Sequence, residues 1–323
     1  MLMKKQQSNS ATVVFNAHHQ SDALRQTKRR VFQTGFFILF IIAPIFNLLR
    51  LDLNLGHFIF FGMNWTLGLE AFTAGEGSSL SAVTNLILRG FLPIVAIVGV
   101  LGWVAWKYGR LYCGWLCPHF SVVETINSLM RRASGKSSFW DKSVSSMRIP
   151  SGGSTKVNRL YWIVVYTAVA VFSFTWAVVL LTYLLPPAEI YSNLIHLSLT
   201  RNQMVFIAVA TFLFTIEFTF ARHLFCRFAC AVGVFQSFLW MANKKAMVVS
   251  FNRKNAKQCQ DCYNACDDVC PMRLKPRSIK RHMFTCTECG QCLSACEDVQ
   301  AQFDKPTVLQ WKNGQDALQE SDR

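Results

Sequence analysis

Four apolar runs long enough to cross a lipid bilayer constrain this chain more than any other feature: Val31 to Leu49, Leu86 to Trp106, Leu160 to Leu185 and Gln203 to Phe220. A hydrocarbon layer of roughly 30 Å takes about 20 residues of helix, and only structures that satisfy their own backbone hydrogen bonds survive in it. Each run is therefore expected to be a membrane helix, with Pro44 tolerated as a kink in the first. Across 323 residues, 52% are hydrophobic and only 16% charged, too apolar a balance for an ordinary soluble enzyme. No small-residue cleavage site follows the first run, so it reads as an anchor rather than a removed signal peptide.

The net charge of +15 is distributed in a way that explains it. Lys28, Arg29 and Arg30 close a polar tail over residues 1–30, which is expected to be disordered. Lys107, Arg110, Arg131, Arg132, Lys136, Lys142, Arg148, Lys156 and Arg159 crowd the segment between the second and third runs, and Arg222, Arg227, Lys244, Lys245, Arg253, Lys254 and Lys257 follow the fourth. The intervening segments carry Asp52, Glu70, Glu76 and Glu189 against Arg50 and Arg201, and the short apolar patch His57 to Phe61 there suits the bilayer interface. Lysine and arginine accumulate on the cytoplasmic side of membrane helices, which places both termini there and makes a nucleic-acid partner unnecessary. The expected partition is a tail at 1–30, a four-span domain at 31–250, a cysteine domain at 251–299 and a polar tail from about Gln300 to residue 323, which is assigned no function.

A repeat emerges from the same pass. After the second run comes Leu111-Tyr112-Cys113-Gly114-Trp115-Leu116-Cys117-Pro118, and after the fourth Leu224-Phe225-Cys226-Arg227-Phe228-Ala229-Cys230-Ala231. Each C-x3-C unit precedes an apolar stretch of helical period, Phe120 to Met130 and Val232 to Met241, suited to the inner interface. Two parallel hairpins related by an axis along the membrane normal account for the pattern. In regular helix each pair would lie one turn apart, about 5–6 Å between Cβ atoms, wider than the 3.5–4.5 Å of a relaxed disulfide. A soft metal such as copper(I), or thiol exchange across the repeat, suits that spacing; the plainer alternative is packing by a small apolar residue. Glu217, the one acid inside a span, is a further candidate, against the alternative that it reaches water or pairs with Arg222. His119 and His223 flank the motifs, and a basic linker of Arg273, Lys275, Arg277, Lys280 and Arg281 offers a surface for an acidic carrier or for lipid headgroups.

The remaining eight of twelve cysteines fall in two runs, Cys259, Cys262, Cys266, Cys270-Pro271 and Cys286, Cys289, Cys292, Cys296. The second is C-x2-C-x2-C-x3-C, in which three close thiolates hold one iron–sulfur cluster and the fourth reaches the other. The spacing gives cluster A as Cys259, Cys262, Cys266 and Cys296, and cluster B as Cys286, Cys289, Cys292 and Cys270. The first run departs from the pattern by one extra residue before Cys266, and Glu297 stands where a proline is usual. Tetrahedral zinc is the alternative for paired C-x2-C units. Ligation needs free thiolates and hence a reducing compartment.

Four spans, a C-x3-C pair after the second and fourth, and a C-terminal two-cluster cysteine pattern resemble the bacterial membrane-bound polyferredoxins. The resemblance covers about Val31 to Val299 and departs at Ala231, where the family has proline. It implies an all-α membrane domain joined to a small α+β two-cluster ferredoxin-like domain, two [4Fe–4S] clusters and electron transfer at the bacterial inner membrane. The family's branches serve quinol oxidation for a periplasmic reductase, regulation of nitrous-oxide reduction, and copper handling in oxidase assembly. Quinone, copper, a second ferredoxin-like subunit and a periplasmic reductase are thus the cofactors and partners it suggests. Chain length favours the quinol-dehydrogenase type, leaving a metal-assembly factor and a redox-responsive regulator as the other readings.

Overall fold

A computed structural model describes residues 24–136, 138–140, 157–260, 262 and 264–321. The expected disorder of residues 1–23, and Lys142, Arg148 and Lys156 of the basic loop, lie outside the described residues. The described part is mainly helical and forms two compact units.

One unit comprises Phe37–Val104 and Thr167–Thr219. Among the described residues three helices have the length and apolarity to cross a membrane: Ser79–Tyr108, Tyr161–Thr182 and Arg201–Ala221. Their ends follow local chemistry. Ser78 accepts from the Ser81 amide to open the first. Thr200 and Gln203 form a reciprocal capping box for the third, satisfying two amides that no helical carbonyl can reach. After the second, Pro187 starts the short helix Pro187–Ile195 at the one position where a missing N–H costs nothing. Ala177, Val178, Leu181, Ile190 and Ile207 make the core beneath it.

The first apolar run departs from expectation. Its helix covers 24–42, so residues 24–30 are helical rather than tail, and the chain turns at 43–47 instead of continuing through a kinked Pro44 to Leu49. Proline lacks the amide that would extend the ladder, and Asn47 adopts a left-handed φ of 52°. The run then enters an antiparallel sheet of β1 (Leu49–Asp52), β2 (His57–Phe60) and β3 (Met63–Trp65). The apolar patch expected at the interface is thus β2, paired Leu49 to Phe60 through Asp52 to His57. Arg50 and Asp52 form a buried 2.8 Å ion pair, and β1 hydrogen-bonds to the end of the Tyr161–Thr182 helix through the Leu51 amide and Tyr183 carbonyl.

The other unit comprises residues up to Phe36, Ala105–Tyr166 and Phe220–Arg323, and it holds all twelve cysteines. The two stretches behind the C-x3-C motifs are helices, Pro118–Ser134 and Ala231–Ala242. Cys117 and Cys230 occupy the same place in each, the residue just before the first turn. The polar C-terminal segment is ordered: β5 (Leu309–Asn313) pairs antiparallel with β4 (Met247–Phe251), and a helix, Gly314–Ser321, follows. Burial accompanies the pairing, since Val248, Val249 and Ser250 in the middle of β4 and Leu309 at the start of β5 are all buried, a core that no tail of polar composition advertises.

Candidate functional site

The eight C-terminal cysteines separate into two groups of four around two small cavities. Cys259, Cys262, Cys266 and Cys296 line one of about 280 Å³, with Ala265, Val299, Val308 and Leu309 as apolar wall. Cys270, Cys286, Cys289 and Cys292 line another of about 320 Å³, among Val249, Met272, Leu274 and Met283. Each group takes its fourth member from the other run. The helix Gln291–Gln302 carries Cys292 toward one cavity and Cys296, one turn on, toward the other.

The extra residue before Cys266 is absorbed locally. Asn264 takes a left-handed φ of 61° and opens the short helix Ala265–Asp268, a conformation asparagine tolerates better than most residues. Arg277 holds that turn, donating to Asn264 Oδ1 at 2.8 Å and Asp267 Oδ2 at 2.7 Å. The basic linker is therefore partly turned inward. Lys280 likewise donates to the Trp240 and Asn243 carbonyls at the end of the Ala231–Ala242 helix.

Donors already face the sulfurs: the Leu274 amide lies 3.4 Å from Cys270 Sγ and the Thr307 hydroxyl 3.5 Å from Cys296 Sγ. Burial, followed by the neighbouring thiols, pushes Cys259 and Cys270 each up to about 11 and drives Cys292 upward too, while Cys286 is raised by burial and then by the Glu288 carboxyl. Bare thiols here stay protonated at neutral pH, and a bound iron cation would supply the charge that thiolates need. Among the described residues no three His, Cys, Asp or Glu side chains converge on one ion position. A purely sulfur donor set ringing a space with apolar walls fits an iron–sulfur cluster.

The first C-x3-C motif sits on the loop of the second cavity. Trp115 Nε1 donates to the Glu288 carbonyl at 3.0 Å, and a Cβ on Gly114 would overlap the Thr287 carbonyl oxygen. Arg29 Nε and Gln33 Nε2 both donate to the Gly114 carbonyl at 3.2 Å, while the Arg29 guanidinium pairs with Glu124. Cys117 and Cys226 border the same core as Cys270 and Cys286, built on Phe120, Trp240, Met272 and Met283. Burial pushes Cys113 up to about 12, with Cys117, Arg110 and Cys230 the charged neighbours it feels. No disulfide joins any of the twelve cysteines.

The other candidates lie elsewhere. Glu217 falls in the membrane-helix unit, half-buried at the start of a π-turn, Glu217–Ala221. The His119 ring packs 5.2 Å from Phe225, and His223 is buried. Sequence reasoning missed the enclosing residues. Glu288 is buried, its carboxyl pushed by burial up to about 8, and receives the Trp311 indole N–H at 2.9 Å from β5. A tryptophan in a polar segment was the one available signal.

With this geometry in place, the chain is similar to the membrane-bound polyferredoxin class. The family described as a 4Fe-4S binding domain matches twice, at residues 89–137 and 202–247, each match covering one C-x3-C motif. Among curated relatives, the regulatory protein NosR of Stutzerimonas stutzeri is 26% identical over 187 residues, 54% of this chain and 22% of that protein. The putative electron transport protein YccM of Escherichia coli is 22% identical over 200 residues, 62% of this chain and 49% of that one. An uncharacterized protein of Methanocaldococcus jannaschii is 23% identical over 251 residues, 77% of this chain and 84% of its length. The chain thus spans about a fifth of NosR and half of YccM. No solved structure matches it.

Proposed function

We propose that the chain is a membrane-bound electron relay in which Cys259, Cys262, Cys266 and Cys296 hold one [4Fe–4S] cluster and Cys286, Cys289, Cys292 and Cys270 a second. The observation that carries this reading is the division of the eight cysteines into two cavities, each completed from the other run. Such clusters supply one-electron chemistry at potentials set by hydrogen bonds to sulfur and by burial. The protein's part is to wall the sites with Val, Met and Leu, to aim the Leu274 amide and Thr307 hydroxyl at sulfur, and to brace both groups on one helix.

The C-x3-C cysteines stand at the head of the relay. The first motif rests on the Thr287–Cys289 loop, so electrons from a quinol or a membrane redox partner pass to the Cys270 group, then the Cys296 group, and then to a redox protein. Both termini and the clusters face the cytoplasm of a bacterial cell, with the apolar part of helix 24–42 entering the bilayer as a fourth span. The basic residues bordering the described spans support that orientation. YccM, named as an electron transport protein, favours turnover over regulation.

Replacing Cys270 and Cys296 singly by serine tests the assignment. Cys270→Ser should remove the spectroscopic signal that Cys286→Ser also removes, and Cys296→Ser the one lost in Cys259→Ser. If Cys270→Ser instead matched Cys259→Ser, each run would close its own site and the cross-pairing would fall.

A further inference from the structure

Arg110 is 1% exposed and belongs to the cysteine unit. Its Nε donates to the Ser237 hydroxyl at 2.6 Å and its Nη1 to the Cys226 carbonyl at 2.8 Å, both uncharged acceptors. Its Nη2 is buried with no partner, and among the described residues no carboxylate pairs with it. Arg29, equally buried, has Glu124. The ionisable groups around Arg110 are instead Cys113, Cys230, Cys226 and Cys286. Gly233 opposite leaves room for the guanidinium, since a Cβ there would stand 3.2 Å from it.

A buried cation without counter-charge is strongly unfavourable, and neutral thiols or a neutral disulfide provide none. Four thiolates around an iron–sulfur core do, because their charge outweighs that of the core. The positions agree with such a use. Cys117 and Cys230 each precede a helix, and the His119 and Phe120 amides face the Cys117 sulfur. The two stretches matched by the 4Fe-4S binding family contain these four cysteines and none of the eight in the C-terminal runs.

We propose that Cys113, Cys117, Cys226 and Cys230, one pair from each repeat, ligate a third iron–sulfur cluster whose counter-charge is Arg110. This rests on the reading of the chain as an iron–sulfur relay and replaces its thiol or copper head with a cluster. It gives the duplication a physical purpose, since neither repeat holds enough ligands alone.

The full chain, purified anaerobically in detergent, should contain about twelve irons with matching sulfide, for three four-iron clusters. Cys113→Ser/Cys117→Ser and Cys226→Ser/Cys230→Ser should each lose about four irons and the same paramagnetic signal, sparing the signals removed by Cys259→Ser and Cys286→Ser. Arg110→Gln should shift the midpoint potential of that signal negative, and Arg110→Lys should restore it. About eight irons in the unaltered protein would overturn the proposal while leaving the relay intact, whether or not the variants fold. Stoichiometric copper lost with either pair would also overturn it. Absence of iron altogether would remove the relay itself.

Discussion

Gly114→Ala is the smallest change that tests whether the first C-x3-C motif is docked on the cluster loop. The added methyl group would overlap the Thr287 carbonyl oxygen and lie 3.2 Å from its carbon and 3.4 Å from the Cys289 nitrogen, all backbone atoms that no rotamer change can move. Overpacking at a fixed contact costs about 1–3 kcal/mol. If the motif lifts away to relieve it, the Arg29 and Gln33 bonds to the Gly114 carbonyl and the Trp115 bond to Glu288 stretch together. The population of the undocked state should rise roughly 5- to 150-fold, the equivalent of that energy. The assay is the rate at which a strong chelator bleaches the protein, resolved by the signals that Cys286→Ser and Cys259→Ser remove. The Cys286 group should bleach faster by a factor in that range, with the Cys259 group little changed. Equal bleaching in both groups, or none beyond the unaltered protein, would refute the docking argument.

Arg277→Ala should do the reverse, loosening the Asn264 turn and labilising the Cys259 group first, as followed by the same bleaching assay. Trp311→Phe removes the indole hydrogen bond to the buried Glu288 carboxyl, at a cost of about 1–3 kcal/mol, and should speed loss of the Cys286 group; an unchanged rate would make β5 a spectator. Cysteine labelling in whole cells should reach residues introduced at Ser79 and Ser192 from outside and at Lys244 only after permeabilisation. Labelling of Ser192 from the inside alone would invert the orientation.

Three of the four apolar runs, and the grouping of the cysteines, were legible because each obeys a local rule: helical period and length in one case, the reach of neighbouring thiolates in the other. What encloses the cysteines was not legible, because it is assembled from far apart. Arg29 meets Glu124, Trp115 meets Glu288 and β4 meets β5 across separations that no periodicity encodes. Arg29 and Arg110, read as membrane-side charge, proved to be interior groups, and Arg277, read as part of a docking linker, a clamp on the Asn264 turn. Short strands such as Leu49–Asp52 also escape a window tuned to spans, since four residues of mixed polarity carry too little pattern.

The helix Gln291–Gln302 has one more consequence. Because Cys292 and Cys296 hang from it a single turn apart, both buried, a charge added to a cluster held in one cavity would be felt by a cluster held in the other. Two unit charges about 10 Å apart at an effective dielectric constant near 20 repel by on the order of 1.7 kcal/mol. Two sites of equal intrinsic affinity would then fill in sequence, the first easily and the second against a penalty. A scaffold so short would make two clusters held there a staircase for single electrons rather than a reservoir for two.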